Sequence, residues 1–100
     1  MPLYLRKVQH PQALNNYRVI LRDEDGEVEI GSIGVQSFAG ADQSWTWGID
    51  TVLPMRASET SGRGTDRKDC MRKFKLAWER FAADPANLAE FLAAKRRARY

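Results

Sequence analysis

The sequence has few of the residues from which disulfides and metal centres are built. It contains one cysteine, Cys70, and one histidine, His10. A single thiol cannot form an internal disulfide, and structural zinc sites combine several Cys or His ligands. We therefore expect no disulfide and no metal site, and no motif in the chain indicates another cofactor.

Long apolar runs are absent as well. No stretch approaches the roughly 20 apolar residues that a membrane-spanning helix needs. The N-terminal residues MPLYLRK do not resemble the apolar core of a secretion signal. We expect a protein that does not associate with membranes and that is cytoplasmic.

Catalytic and nucleotide-binding motifs are also missing, since the chain has no G-x-S-x-G, no P-loop and no H-E-x-x-H. His10 stands beside Pro11 without a neighbouring nucleophile or carboxylate. Cys70 lies near the start of a predicted helix, where the helix dipole and Arg67 or Lys73 would lower a thiol pKa. It falls on the apolar side of that helix, however, so a buried and inert thiol is the favoured interpretation. We predict no catalytic residues and expect that the protein is not an enzyme.

The chain has the size and composition of one ordinary globular domain. Its 100 residues are 43% hydrophobic and 29% charged, and a chain of this size buries roughly 65% of its unfolded surface. Prolines and the Asn15-Asn16 pair interrupt the first residues. We predict an N-terminal arm at 1–16, lying along a single α+β domain at 17–100.

The net charge of +3 is distributed unevenly. Residues 1–50 contain 4 Lys and Arg against 7 Asp and Glu, a net charge of −3, whereas residues 51–100 contain 12 against 6, a net charge of +6. A basic half is a hint of an anionic partner. The simpler alternative is a solvated basic helix face.

Three segments with alternating apolar residues predict strands that form an antiparallel meander. The parity of the apolar positions changes across Gly31-Ser32, which predicts a β-bulge or a bend there rather than a straight strand. The predicted strands are 17–22, 27–38 and 44–53, with turns at 23–26 and 39–43, and a flexible polar loop follows at 55–65.

A long amphipathic helix is predicted after this loop, with Asp66 as its N-cap and its end near Ala83. Asp84-Pro85 then starts a second helix that runs to about Arg97. Trp45 and Trp47 are expected to pack against the apolar stripe of the first helix, which consists of Cys70, Phe74, Ala77, Trp78 and Phe81. The predicted fold is therefore a three-stranded antiparallel meander packed by one long amphipathic helix, with a shorter C-terminal helix (βββαα).

The segments W-T-W-G at 45–48 and G-R-G-T-D-R-K-D-C-M-R-K-F-K-L-A-W at 62–78 resemble a group of small uncharacterised bacterial proteins. In that group a W-x-W strand and a glycine turn precede a helix that ends in A-x-x-x-F-x-x-A-W. The resemblance covers about residues 17–81 and implies a fold rather than an activity. Cys70 stands where the group usually has alanine, and Asp66 where it often has threonine; both fit the same packing.

The order of sheet and helix is more remotely similar to AP2-type and integrase-arm DNA-binding domains, which lay a three-stranded sheet in the major groove. A likeness of architecture transfers no function by itself. Here the predicted sheet carries Glu27, Glu29 and Asp50 where such domains need cations.

Two functions remain open. The favoured one is a small binding module, a protein-interaction or accessory domain, whose candidate partner contacts are Leu76, Leu88, Phe91 and Leu92. The same residues also suit intramolecular packing of the last helix, and a monomer is favoured over a homodimer. The alternative is a nucleic-acid-binding domain that uses the basic helix face and the basic C-terminal tail. Its candidate anion contacts are Arg63, Arg67, Lys68, Arg72, Lys75, Arg96 and Arg97.

Overall fold

A single antiparallel sheet dominates this computed structural model, which describes residues 3–9, 15–24, 26–37 and 43–97. Its strand order is β1-β2-β3-β4-β5, so every strand pairs with its neighbours along the chain. The strands are β1 (Leu3–Lys7), β2 (Asn16–Asp23), β3 (Gly26–Ser37), β4 (Gln43–Ile49) and β5 (Ser61–Gly64). The α+β class is confirmed, but the prediction of three strands is wrong. The predicted turn at 39–43 and the loop around His10 lie largely outside the described residues.

The two strands that were not predicted form the two edges of the sheet. β1 lies within the predicted N-terminal arm and pairs with β2 from Leu3↔Leu21 to Lys7↔Tyr17. The arm was predicted because prolines surround this segment, yet L-Y-L-R-K itself alternates in polarity as a strand does. The described part of the arm is therefore an integral strand of the sheet.

β5 lies within the predicted flexible loop, and its sequence S-G-R-G gives little local indication of a strand. A Cβ atom at Gly64 would lie 2.6 Å from the Cys70 Sγ. Glycine is thus needed here because a helix lies directly on the strand, rather than because the chain bends.

The predicted β-bulge is present in β3. Val19 pairs with Gly31 and Ile20 with Glu29, so Ile30 is the extra residue. The bulge lies one position before the predicted Gly31-Ser32. It allows Ile30 and Ile33, which differ in parity, both to be fully buried.

Three helices follow β4, and sequence reasoning located the two longer ones. Asp66 accepts a hydrogen bond from the Asp69 N–H at 2.7 Å, and the Asp84 carboxylate accepts one from the Ala86 N–H at 2.9 Å. Both predicted N-caps are thereby confirmed. The helices are α1 (Ala57–Thr60), α2 (Arg67–Ala82) and α3 (Pro85–Arg97).

The core lies between one face of the sheet and α2. Phe74 is fully buried, and its ring meets Trp47 edge-on with centroids 6.2 Å apart. Trp78 packs instead on two rings nearer the C-terminus, Phe81 and Phe91. The expected contact between the strand tryptophans and the helix is therefore present at Phe74, whereas α3 folds back to cover the second half of α2.

Candidate functional site

The seven cations predicted as anion contacts are spread over the molecule. Arg63 lies on β5 at one edge of the sheet, whereas Arg96 and Arg97 lie in the last turn of α3. The remaining four lie on α2: Arg67, Lys68, Arg72 and Lys75. A single phosphate-binding surface made of all seven residues is not present.

Three of the α2 cations share one side of the helix. At 3.6 residues per turn, Lys68, Arg72 and Lys75 fall within about 60° of one another around the axis. Lys75 lines a groove together with Leu3 of β1, so this side of α2 faces the β1 edge. We call Lys68, Arg72 and Lys75 the basic flank.

Two cations of α2 are already engaged within the domain. The Arg67 guanidinium lies 5.1 Å from the centroid of the Tyr17 ring and donates to its hydroxyl at 3.0 Å. Arg72 donates to Asp69 at 2.8 Å. The Thr65 N–H, together with Arg72 and Lys73, holds the pKa of Asp69 well below its usual range. Part of the positive charge predicted to meet an anion is therefore offset locally.

Some backbone groups of β1 point away from β2, toward the outer edge of the sheet. Just beyond the strand, the Val8 N–H donates to the Asn16 carbonyl at 2.9 Å, which makes these two residues a hydrogen-bonded pair. Because such pairs alternate along an antiparallel ladder, Tyr4 and Arg6 also bond to β2. The alternate residues direct their N–H and C=O groups away from β2, and no described strand pairs with them. These residues are Leu3, Leu5 and Lys7.

The opposite edge of the sheet is protected. β5 has only four residues, and the ammonium group of Lys73 on α2 donates to the Arg63 carbonyl at 3.0 Å. Short length and a capped backbone are two of the ways in which proteins block an edge. Within the described residues, the sheet therefore has one open edge, at β1, and one closed edge.

A groove of about 220 Å³ runs between β1 and α2. Leu3 supplies its wall on the strand side, and Trp78 contributes from the helix. Trp78 is 2% exposed, and its indole N–H has no acceptor among the described residues. Four of the six lining residues are apolar, and the other two are a lysine and a glutamate. Its lining consists of Leu3, Lys75, Trp78, Glu79, Ala82 and Ala83.

The four predicted partner contacts are placed differently from one another. Leu76 is 50% exposed on the outer side of α2, as predicted. Phe91 is fully buried, with its ring centroid 5.3 Å from that of Trp78, and it has no surface with which to meet a partner. Leu88 and Leu92 are partly buried against the same core. The alternative of intramolecular packing is the one that the structure shows for α3.

The sheet face opposite the helices carries a network of paired charges. Hydrogen bonds from Tyr4, Arg22 and Arg6 lower the pKa of Glu27 to about 2. The Nε atom of Arg18 lies 3.9 Å from Oε1 of Glu29, and the same guanidinium also binds Asp50. Glu27 and Glu29 of this face are thus paired with arginines of the neighbouring strands, and Asp50, at the end of β4, is paired with Arg18.

The thiol of Cys70 lies inside the protein. Cys70 is fully buried, and burial, reinforced by Asp69, raises the pKa of its thiol. No cluster of three or more His, Cys, Asp or Glu residues is found in this part of the chain. Among the helices in the described ranges, none has the length and apolar character required to cross a bilayer.

The fold and the site define a small α+β domain with one open sheet edge beside a basic helix. No family model matches the chain, and neither a curated protein nor a solved structure is significantly similar to it. The resemblance to small bacterial W-x-W proteins therefore stays a prediction, and function has to be inferred from the site itself.

Sequence reasoning missed the open edge because it placed β1 outside the domain. The signal was present in the first residues, where Leu3 and Leu5 alternate with Tyr4 and Arg6. Which strand would form an edge was not readable, since that depends on the pairing order of the whole sheet.

Proposed function

We propose that this protein is a protein-interaction module, which binds an extended segment of a partner protein along the outer edge of β1. The observation that carries the proposal is the outward direction of the N–H and C=O groups of Leu3, Leu5 and Lys7, next to an apolar groove. Addition of a strand to an exposed sheet edge is a common mode of peptide recognition, in which backbone hydrogen bonds supply affinity and pockets supply specificity.

The contrast between the two edges supports the proposal. An unblocked edge is a liability, because it templates aggregation, and natural sheets usually cover it. Here the β5 edge is capped by Lys73, whereas no described strand pairs with the outer edge of β1. The charged side chains of β1, Arg6 and Lys7, stand at one end of the strand. Such an edge suits a bound strand better than it suits a free surface.

A peptide selection tests this function. The full chain is used to select binders from a random peptide library, and backbone amide exchange is then measured with and without the selected peptides. We expect binding peptides to slow exchange at the outward amides of Leu5 and Lys7. Failure to select any binder, or protection confined to other surfaces, contradicts the proposal.

A matched pair of variants distinguishes backbone recognition from charge recognition. Lys7→Pro removes an outward N–H that makes no bond to β2, and proline is tolerated at such edge positions. We expect this variant to bind the selected peptides about tenfold or more weakly, since a hydrogen bond is lost and the proline ring crowds the edge. Lys7→Ala removes the same charge but keeps the N–H, and should lose less affinity than Lys7→Pro. Equal losses in both variants contradict strand addition.

Nucleic-acid binding is the second candidate, and the observation that favours it is the basic flank on α2. Lys68 and Lys75 make no ion pair with a described residue, so they are available to phosphates. A mobility-shift assay at low salt tests this candidate, because phosphate contacts weaken steeply as salt rises. If it holds, reversal of charge at Arg72 and Lys75 abolishes a salt-sensitive shift. The absence of any shift at low salt contradicts it.

A further inference from the structure

We infer that the segment bound at β1 carries an acidic residue followed by two apolar residues at alternate positions, and that it runs antiparallel to β1. This inference rests on the proposed function and specifies the partner for the same site. It follows from what lies beside each outward-facing residue of the strand.

The face of the bound strand that points toward α2 is set by β1. A residue paired directly with Leu3, Leu5 or Lys7 places its side chain on the same sheet face as that residue. This is the face that α2 covers, because Leu3 and Leu5 pack against the core cluster. Alternate side chains of the partner therefore enter the space between β1 and α2.

The Leu3 end of this space favours apolar side chains. Leu3, Trp78, Ala82 and Ala83 line the groove there. Lys75 and Glu79 stand at the same groove with opposite charges, so their fields largely cancel at this end. Side chains paired with Leu3 and Leu5 bury apolar surface, which contributes roughly 25 cal/mol for each Å² removed from water.

The Lys7 end of the edge is positively charged. Lys7 is exposed on β1 and pairs in register with Tyr17, on whose ring Arg67 lies. Lys68 follows Arg67 in the first turn of α2 and belongs to the basic flank. The side chain paired with Lys7 therefore meets several cations, and a carboxylate is the group that complements them.

The direction of the bound strand relative to β1 determines the order of these residues in the partner. Antiparallel pairing is slightly more stable per residue than parallel pairing, and every ladder of this sheet is antiparallel. An antiparallel partner begins opposite Lys7 and ends opposite Leu3. Its sequence is thus acidic-x-apolar-x-apolar, with the acidic residue nearest the partner's N-terminus.

Three fluorescein-labelled synthetic peptides test the inference by fluorescence anisotropy with the full-length chain. The first contains Glu-Thr-Val-Thr-Val between Ser-Gly flanks, the second replaces its Glu by Lys, and the third reverses the order to Val-Thr-Val-Thr-Glu. We expect the first to bind about tenfold more tightly than the second, since one favourable set of cross-strand charge contacts becomes unfavourable. We expect the third to bind more weakly than the first.

Charge reversal in the protein supplies the matched control. The double variant K7E/K68E should invert the preference, so that the Lys peptide binds more tightly than the Glu peptide. Arg63→Glu makes the same kind of change at the closed edge and should leave the preference unchanged. A preference that survives K7E/K68E, or that disappears in Arg63→Glu, overturns the inference.

The outcomes separate this inference from the proposed function. Equal affinities for all three peptides, with slowed amide exchange at Leu5 and Lys7, overturn the acidic preference and leave strand addition in place. If the first peptide does not bind, the inference is overturned even when the library yields other binders. If the library yields no binding peptide either, the proposed function is contradicted as well.

Discussion

Leu76 and Trp78 lie two positions apart on α2, yet they are 50% and 2% exposed. Trp78 packs on Phe81 and Phe91, so its removal leaves a cavity between the two long helices. We expect Trp78→Ala to lower the free energy of unfolding by about 3–5 kcal/mol. Leu76→Ala on the same helix should change it by less than about 0.5 kcal/mol. Urea denaturation measures both free energies of unfolding. Similar small decreases in the two variants would show that Trp78 does not lie in the core.

Cys70 gives a second prediction at this scale. Its side chain is fully buried, and burial raises the pKa of the thiol, which keeps it protonated at neutral pH. We expect slow labelling by a thiol reagent in the native protein and rapid labelling in denaturant. Rapid labelling under native conditions is the contrary result, and it would restore the reactive thiol that sequence reasoning set aside.

Residue-scale features were predicted well wherever they depend on near neighbours in the chain. Asp66 and Asp84 were identified as helix caps because a cap bonds within its own first turn. The burial of Cys70 and Phe74 followed from helical spacing. The role of Phe91 was harder to predict. The apolar side of its helix could contact a partner protein or pack against α2, and only the contact between Phe91 and Trp78 in the folded structure decides between the two.

At the scale of elements, α3 is attached to the sheet by a carboxylate as well as by its apolar side. Asp50 follows β4 and binds both Arg18 of β2 and Lys95 of α3. Burial opposes ionisation of Asp50, but the hydrogen bonds from Arg18 and Lys95 outweigh it, so the pKa of Asp50 lies below its ordinary value. The ionised form is thus the one that the fold prefers.

A pH dependence of stability follows from this shift. A carboxyl group whose folded-state pKa is depressed stabilises the fold above its unfolded pKa, about 3.9, and that contribution is lost as pH falls through the lower folded-state value. We expect Asp50→Asn to be destabilising at neutral pH and progressively less so below about pH 4. Denaturation of both proteins across this range checks it, with the exposed Glu90→Gln as control. If Asp50→Asn lowers the free energy of unfolding by the same amount at every pH, the ion pair between Asp50 and Lys95 does not stabilise the position of α3.

Strands were predicted where the pattern is local and missed where it depends on distant packing. Apolar and polar residues alternate clearly in β2 and β4, and the parity change at Gly31 predicted the irregularity in β3. β5 could not be predicted, because Gly64 is required by the helix that lies above it rather than by the strand. β1 was hidden by the prolines around it, although its own alternation was visible.

At the scale of the whole molecule, the arrangement of charge could not be read from the sequence. Seven cations looked like one set, but strand order places Arg63 at one edge of the sheet and the basic flank near the other. The open edge likewise results from the order of five strands. This is why the α+β class was predictable while the candidate site was not.

The open edge also bears on self-association, since two copies could pair through β1. In a two-fold antiparallel pairing centred on Leu5, Lys7 of each copy would lie opposite Leu3 of the other. No carboxylate would then pair with Lys7, and the basic flanks of both copies would lie near the same seam. We expect a monomer in size-exclusion chromatography with light scattering at physiological salt. A dimer that Lys7→Pro dissociates would show instead that a second copy occupies the edge.

Amide hydrogen exchange of the unbound protein, resolved by residue with NMR, shows whether the β1 edge is both ordered and open. We expect an alternation along β1, with slow exchange at Tyr4, Arg6 and Val8, whose N–H groups bond to β2, and fast exchange at Leu5 and Lys7, whose N–H groups face outward. Equal protection of all five amides would show that the edge is already covered. Fast exchange at all five would show that β1 is not part of the sheet, and either result contradicts an edge that is ordered and open.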